Sequence, residues 1–433
     1  MRKKNIFITS SLILICGGII TKILGFIIRI IYTRIVGNEV IGLYALVMPT
    51  YSLLITIATL ALPTTISKLV AENKHNNLKI LSTATCLIML INAFVVIIMV
   101  LSAKFIAINL LHEERCYLLI IAAALTFPVI SISSIIKGYF YGKQNMIPNV
   151  VSNVIEQIIR GILIYIFVPK IMLKNEILAA ASLFLFSFIE EIVSIIINLF
   201  FIPKNITIKK SYIIPDKLTL KNILNISLPT VSSRIIGNIG YFFEPIILKN
   251  ILLYVGYSNN YILVEYGAYN AYTLTILTVP SFFITAISSS LIPEISKNYL
   301  NNNIKLVKKR LKEAIIFALI IGITYSIILM FFGKNILYAL YNTYSGLEYI
   351  LILAPIFPLF YIENILMSYL QALNKASVTM KITVVGVILK LVTLATTSLL
   401  SIGIYSLIIA EIINILAVIS LNIFYTIKFT KKL

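Results

Sequence analysis

Lys22, Arg29 and Arg34 lie in the stretch ITKILGFIIRIIYTRIVG, residues 20–37, which is otherwise strongly apolar and contains no acid. At about 100° per residue, Gly18, Lys22, Gly25, Arg29 and Thr33 share one helical face, opposite a face of Ile, Leu and Phe. A cation near mid-bilayer costs about 2.5–3.5 kcal/mol on insertion scales, so these side chains are expected to face protein or a water-filled cavity. The glycines between them leave room for a bulky ligand. The chemistry on offer is an anion site in which Lys22 and Arg29 bind a diphosphate, Arg29 presenting a planar fork to phosphate oxygens. Arg34 is expected to snorkel toward the outer interface. The competing expectation is that Lys22 and Arg29 pair with acids on other helices.

Further charged residues fall inside apolar runs. Arg234, Asn238, Tyr241 and Pro245 recur at near-helical spacing, and Pro245 is expected to kink its helix. Arg234 is the expected second-half counterpart of Arg29. Glu244, about 80° off that face, is expected to balance Arg234, to carry a proton or sodium ion, or to pair with a structural cation. Glu156 and Arg160 are one turn apart and can form an i,i+4 pair, a structural role more than a catalytic one. Glu190 and Glu191 are adjacent, so at most one need face a cavity. Glu363 and Glu411 are lone intramembrane acids and functional candidates on that ground. His75 and His112 are far apart and Cys16, Cys86 and Cys116 are scattered, so no metal set, cofactor site or disulfide framework is expected. No G-x-x-x-x-G-K-[ST] phosphate loop occurs. The histidines cannot supply a Ser/His/Asp or Cys/His set, and no enzymatic catalysis is expected.

The elements that position these residues follow from composition. Of 433 residues, 60% are hydrophobic and 12% charged, and the mean hydropathy is +1.00. Soluble domains run near 45–50% apolar and 25% charged. The chain is an all-α polytopic membrane protein. Apolar runs give about twelve spanning helices, roughly 6–35, 43–68, 80–103, 117–139, 148–168, 177–201, 222–248, 266–291, 313–332, 347–370, 378–398 and 403–427. The net charge of +20 could suggest nucleic acid, but its distribution argues otherwise. With the N-terminus inside, 24 of the 36 Lys and Arg fall on inner connections and tails, Lys137 among them, and only 6 on outer loops, among them Lys249. That is the positive-inside pattern, with both termini cytoplasmic in a cell membrane and no nucleic-acid partner.

The chain also repeats itself. KGYFYGKQNMIPNVVSNVIEQIIRG from Lys137 aligns with MSYLQALNKASVTMKITVVGVILKL from Met367 at a shift of 230, which pairs Gln144 with Asn374 and Arg160 with Lys390. The same shift pairs Pro63 with Pro293; Pro49 and Pro280 complete a matched set that could mark bends or helix ends. Two six-helix lobes of the same orientation follow, 1–203 and 222–433, joined by a cytoplasmic linker, 204–221.

IGLYALVMP from Ile41, LPTTISKLVAE from Leu62 and the GYF-x-G-x-QNMIP…VIEQIIR block from Gly138 resemble the stage V sporulation protein B group of the multidrug/oligosaccharidyl-lipid/polysaccharide exporter superfamily. The resemblance covers essentially the whole chain. It implies a V-shaped, two-lobed transporter with a central cavity, working by alternating access. The substrate it implies is an anionic, polyprenyl-diphosphate-linked saccharide, such as a peptidoglycan precursor of wall or spore-cortex synthesis. Membrane lipids and cell-wall synthesis proteins are the further partners it implies. Members of the group often carry about two helices beyond twelve, which weights the wider polysaccharide-flippase branch against the lipid II branch. A cation-coupled multidrug exporter on the same fold, and a non-transporting scaffold for wall assembly, are the other readings.

Overall fold

The computed structural model describes residues 2–72, 76–202 and 214–431; most of the expected linker, and His75, lie outside the described residues. All regular structure among them is helical. A helix satisfies its own backbone inside hydrocarbon, which is why so apolar a chain folds this way.

The helices are α1 (Arg2–Thr59), α2 (Leu62–Glu72), α3 (Asn77–Phe105), α4 (Cys116–Gly142), α5 (Ile147–Met172), α6 (Glu176–Phe200) and α7 (Lys217–Tyr254). There follow α8 (Asn259–Ala268), α9 (Leu274–Leu277), α10 (Ser281–Leu300), α11 (Ile304–Tyr341), α12 (Leu347–Leu353), α13 (Phe357–Ala372), α14 (Ala376–Ser398) and α15 (Tyr405–Lys431). Among the described residues nine stretches are long and apolar enough to cross a bilayer, or eleven if each of two bent pairs is one crossing. One of the nine, Cys16–Glu72, has 57 residues. At 1.5 Å per residue it would extend about 85 Å, against a hydrocarbon core of about 30 Å. It breaks at Gly37, where φ is 74° and ψ −177°. The stretch is therefore two crossings, which brings the number to the twelve expected.

The chain divides into two compact units, Met1–Phe242 and Phe243–Leu433. In the first, Leu62, Ile66 and Val70 of α2 pack with Ile80 and Ile88 of α3 and with Ile135 and Phe140 of α4. Ile223 and Val231, from the first part of α7, belong to the same cluster. Asn238 fixes this part of α7 further, its Nδ2 donating to Thr56 Oγ1 at 2.7 Å. Asp216 caps the start of α7: its Oδ2 accepts from Thr219 N at 3.1 Å and Thr219 Oγ1 at 2.9 Å. Those bonds stabilise the ionised carboxylate and hold its pKa below the ordinary value.

The glycines of the Gly138 block have a packing reason. A Cβ on Gly142 would stand 2.7 Å from Ser67 O, and one on Gly138 3.0 Å from Pro63 Cα. Small residues four apart let α4 approach α2 at backbone distance. In the second unit the positions 230 later are Ser368 and Ala372, also small, and Ser296 Oγ of α10 donates to Ala372 O at 2.9 Å. The repeat reaches backbone conformation. Gln144 and Asn374 have φ of 57° and 60°, and His112 and Asn342 have 47° and 55°. Each pair ends equivalent helices with a left-handed residue.

The matched prolines act differently in the two units. Pro63 is the second residue of α2, where a missing N–H costs little, and the break precedes it at Leu60 and Ala61, both with positive φ. Pro49 and Pro293 lie inside helices. Bends of 56° and 57° occur in the second unit, between α9 and α10 beside Pro280 and between α12 and α13 beside Pro355 and Pro358. Pro128, 230 residues before Pro358, sits in an unbroken α4.

Candidate functional site

Each unit holds a set of buried and half-buried charges. In the first, α4, α5 and α6 bring together Lys137, Glu156, Arg160, Glu190 and Glu191. Lys137 Nζ lies 2.7 Å from Glu156 Oε1 and 3.6 Å from Glu191 Oε2. Arg160 Nη1 lies 3.5 Å from Glu190 Oε1, and its Nη2 donates to Ser187 Oγ at 3.1 Å. Glu156 and Glu190 are almost fully buried. Three acids thus meet two cations, one negative charge in excess, and Glu190 Oε2 has no hydrogen-bond partner among the described residues. The rings of Tyr44, Tyr51, Phe127 and Phe184 form a connected aromatic cluster in the same unit.

This corrects the expected pairing along α5. Glu156 and Arg160 share a face, but each reaches a different neighbouring helix: Glu156 takes Lys137 of α4, and Arg160 takes Glu190 of α6. The adjacent acids of α6 diverge as their 100° separation requires, one to each cation. Lys137, expected in an inner connection, is instead a half-buried partner within α4. The signal for it is position, since no other charge occurs between Arg115 and Lys137 and apolar residues run up to it.

In the second unit Lys390 of α14 takes the place of Arg160. Its Nζ lies 2.6 Å from Glu244 Oε2 of α7 and 2.6 Å from Glu411 Oε2 of α15. Tyr266 OH donates to Glu244 Oε1 at 3.3 Å. Glu244 therefore balances Lys390 rather than Arg234. Glu411, without an assignable partner in sequence, has one. Glu363 of α13 is half-buried, and makes no ion pair or hydrogen bond with a described residue. Arg234 is exposed and lies on the part of α7 that belongs to the first unit. Lys249, expected in an outer loop, is fully buried within α7.

The cations of α1 have a different setting. Lys22, Arg29 and Arg34 all present exposed side chains. Their helical face is not uniform. Thr33 is buried and its Oγ1 donates to Arg29 O at 2.6 Å, while its neighbour Tyr32 is anchored through Ala179 O at 3.3 Å. Gly25 lies beside Gln157 of α5, whose Oε1 would stand 3.4 Å from an added Cβ, and Gly18 borders open space. The α1 end nearer Gly37 is thus turned into protein, and the Lys22–Arg29 segment keeps its cations out. Among the described residues no group of three or more His, Cys, Asp or Glu could hold a metal ion.

The sequence pattern of the family described as "Polysaccharide biosynthesis protein" matches residues 7–299. The stage V sporulation protein B of Bacillus subtilis (strain 168) is 33% identical over 400 residues, covering 89% of this chain and 77% of that protein. The chain belongs to the polysaccharide biosynthesis protein family. The lipid II flippase MurJ of the same organism is 24% identical over 431 residues, covering 88% of this chain and 75% of that one. A second pattern, MatE, matches residues 245–396. Among solved structures, the inward-facing conformation of a multidrug resistance MATE transporter of the MOP superfamily superposes with a TM-score of 0.77. It shares 14% identity over 98% of this chain and 99% of that one, a likeness of fold. The chain is a multi-pass membrane protein of that family with the fold of the MATE transporters, and the relatives whose names state an activity are a flippase and transporters.

Proposed function

We propose that the protein translocates an anionic, polyprenyl-diphosphate-linked saccharide across the cell membrane by alternating access, in wall, cortex or polysaccharide synthesis. The observation that carries this is the position of two intramembrane cations: Lys22 and Arg29, seven residues apart on α1, keep exposed side chains in a helix that would be less costly to insert without them. A diphosphate is the ligand whose charge and oxygen geometry fit that pair. Arg34 and Arg234 are the secondary contacts, and Glu244, Glu156 and Arg160 balance charge within their units. The two Bacillus relatives support the substrate class, one by name a lipid II flippase.

The test is a flipping assay in proteoliposomes with a labelled lipid-linked precursor. Arg29→Ala, at normal abundance, should lower flipping at least tenfold. Arg29→Lys keeps the charge and loses the fork, so it should retain part of the activity. Unchanged flipping in Arg29→Ala would refute the site. The MatE match supports one second reading, a cation-coupled drug exporter. It is favoured if Glu244→Gln abolishes cationic-dye efflux while Arg29→Ala leaves it intact.

A further inference from the structure

The first turns of α11 carry Lys305, Lys308, Lys309, Arg310 and Lys312. These cations divide by helical face. Arg310 Nε lies 3.4 Å from Glu294 Oε1 and its Nη1 2.9 Å from Glu313 Oε2, and Lys309 Nζ lies 3.9 Å from Glu313 Oε1. Lys308 and Lys312, one turn apart, are exposed and form no ion pair with any described residue. Both line a groove of about 430 Å³ between α11 and α15. Ligand pockets commonly span about 300–1,000 Å³. Its other walls are Leu311, Ile315, Ile316 and Ile427, with Thr426 and Thr430.

Thr426 is the second observation. It is 7% exposed, and its hydroxyl has no hydrogen-bond partner among the described residues. Intrahelical threonines of this chain ordinarily donate to the carbonyl four residues earlier, as Thr21, Thr56 and Thr230 do. Thr430 also has a partner, Tyr369 OH at 2.8 Å. The groove thus offers two cations near the start of α11, an unsatisfied hydroxyl near the end of α15, and apolar side chains beside both. That combination matches one molecule. A phosphate fits between Lys308 and Lys312, a glycerol ester oxygen reaches Thr426, and an acyl chain lies along Ile316 and Ile427.

We propose that the groove between α11 and α15 is a binding site for one anionic glycerophospholipid, separate from the α1 cations assigned to the transported substrate. The site needs no particular transport activity, and stands if the reading of α1 fails.

The chain has no tryptophan, so Ile316→Trp places a single fluorophore in the groove. The full-length protein is reconstituted in phosphatidylcholine vesicles containing brominated phosphatidylglycerol or, separately, brominated phosphatidylcholine. Quenching by the phosphatidylglycerol should reach its midpoint at a mole fraction roughly thirtyfold lower, from two lysines acting near one headgroup charge. Lys308→Gln with Lys312→Gln in the same background should erase that preference. Ile427→Trp, on the opposite wall, repeats the measurement should Ile316→Trp not fold. Phe331→Trp, exposed farther along α11, should show no preference. Equal midpoints for the two lipids at Ile316→Trp overturn the proposal, as does a preference surviving loss of both lysines. Relief of quenching by polyprenyl phosphate but not by unbrominated phosphatidylglycerol would assign the groove to a prenyl chain and overturn it as well.

Discussion

Lys390 sits 2.6 Å from both Glu244 and Glu411, and Glu244 is almost wholly buried. A buried ion pair contributes little net stability when whole, because desolvation offsets the attraction, but removing one partner strands the other. Lys390→Met leaves two carboxylates facing each other without their cation. It should destabilise the protein by about 3–5 kcal/mol, the usual cost of breaking a buried pair. Glu244→Gln should cost less, since Glu411 still holds the lysine. The neutral triple variant, Glu244→Gln with Lys390→Met and Glu411→Gln, should recover most of the loss. Detergent-solubilised melting followed by size-exclusion chromatography reads all three. A triple variant melting as low as Lys390→Met would show that shape, not charge, sets the cost. Partner choice was the part of this site hidden from sequence. Helical spacing correctly put Glu156 and Arg160 on one face, yet a side chain on that face meets whichever helix packs there. Lys137 and Glu190 come from α4 and α6, separated from α5 by interhelical geometry that no single-helix pattern carries.

Helix-to-helix contact at the element scale depends on small residues. Gly142 has Ser67 O at 2.7 Å and Val70 Cβ at 2.6 Å from where a Cβ would stand, so α4 and α2 must separate to admit one. Gly142→Val should cost about 1–3 kcal/mol, as overpacking does, and lower the melting temperature. Gly237 has nothing within 4 Å of its Cβ direction. Gly237→Ala should be neutral or stabilising, since alanine favours a helix by up to about 1 kcal/mol. Equal losses in the two variants would refute this packing argument. The helices themselves were legible because apolar runs of spanning length have few other fates. The repeat was legible too, and its Gln144–Asn374 pairing recurs as two left-handed helix ends. What the residues concealed was where helices bend. Pro128 and Pro358 are equivalent in the repeat, yet only the latter adjoins a break. A second proline, Pro355, falls in that break, and the residue 230 before it is Leu125, within continuous helix.

Across the whole molecule, the lysine asymmetry and the missing phosphate loop bear on orientation and energy. In a cysteine-free background, Asn302→Cys should resist a membrane-impermeant thiol reagent in intact cells, and Asn260→Cys should react; the reverse would invert the topology. On the proposed reading the driving force is an ion gradient or the membrane potential. An anion leaving a negative interior gains about 2.3 kcal/mol per charge per 100 mV, close to fiftyfold in distribution. Flipping in proteoliposomes should therefore rise with an imposed inside-negative potential. A proton route has its own candidate. The ion-paired set of each unit carries more acids than cations, and Glu363 is a half-buried intramembrane acid to which the described residues offer neither ion pair nor hydrogen bond. A carboxyl there can take a proton without breaking a salt bridge, which Glu244 and Glu411 cannot. If a pH gradient drives transport through Glu363, Glu363→Gln should lose the response to that gradient and keep the response to voltage. Loss of both responses would mean that Glu363 serves the fold or the translocation path itself. A variant that keeps both would remove Glu363 from coupling, and flipping indifferent to potential, proton and sodium gradients alike would refute gradient-driven transport.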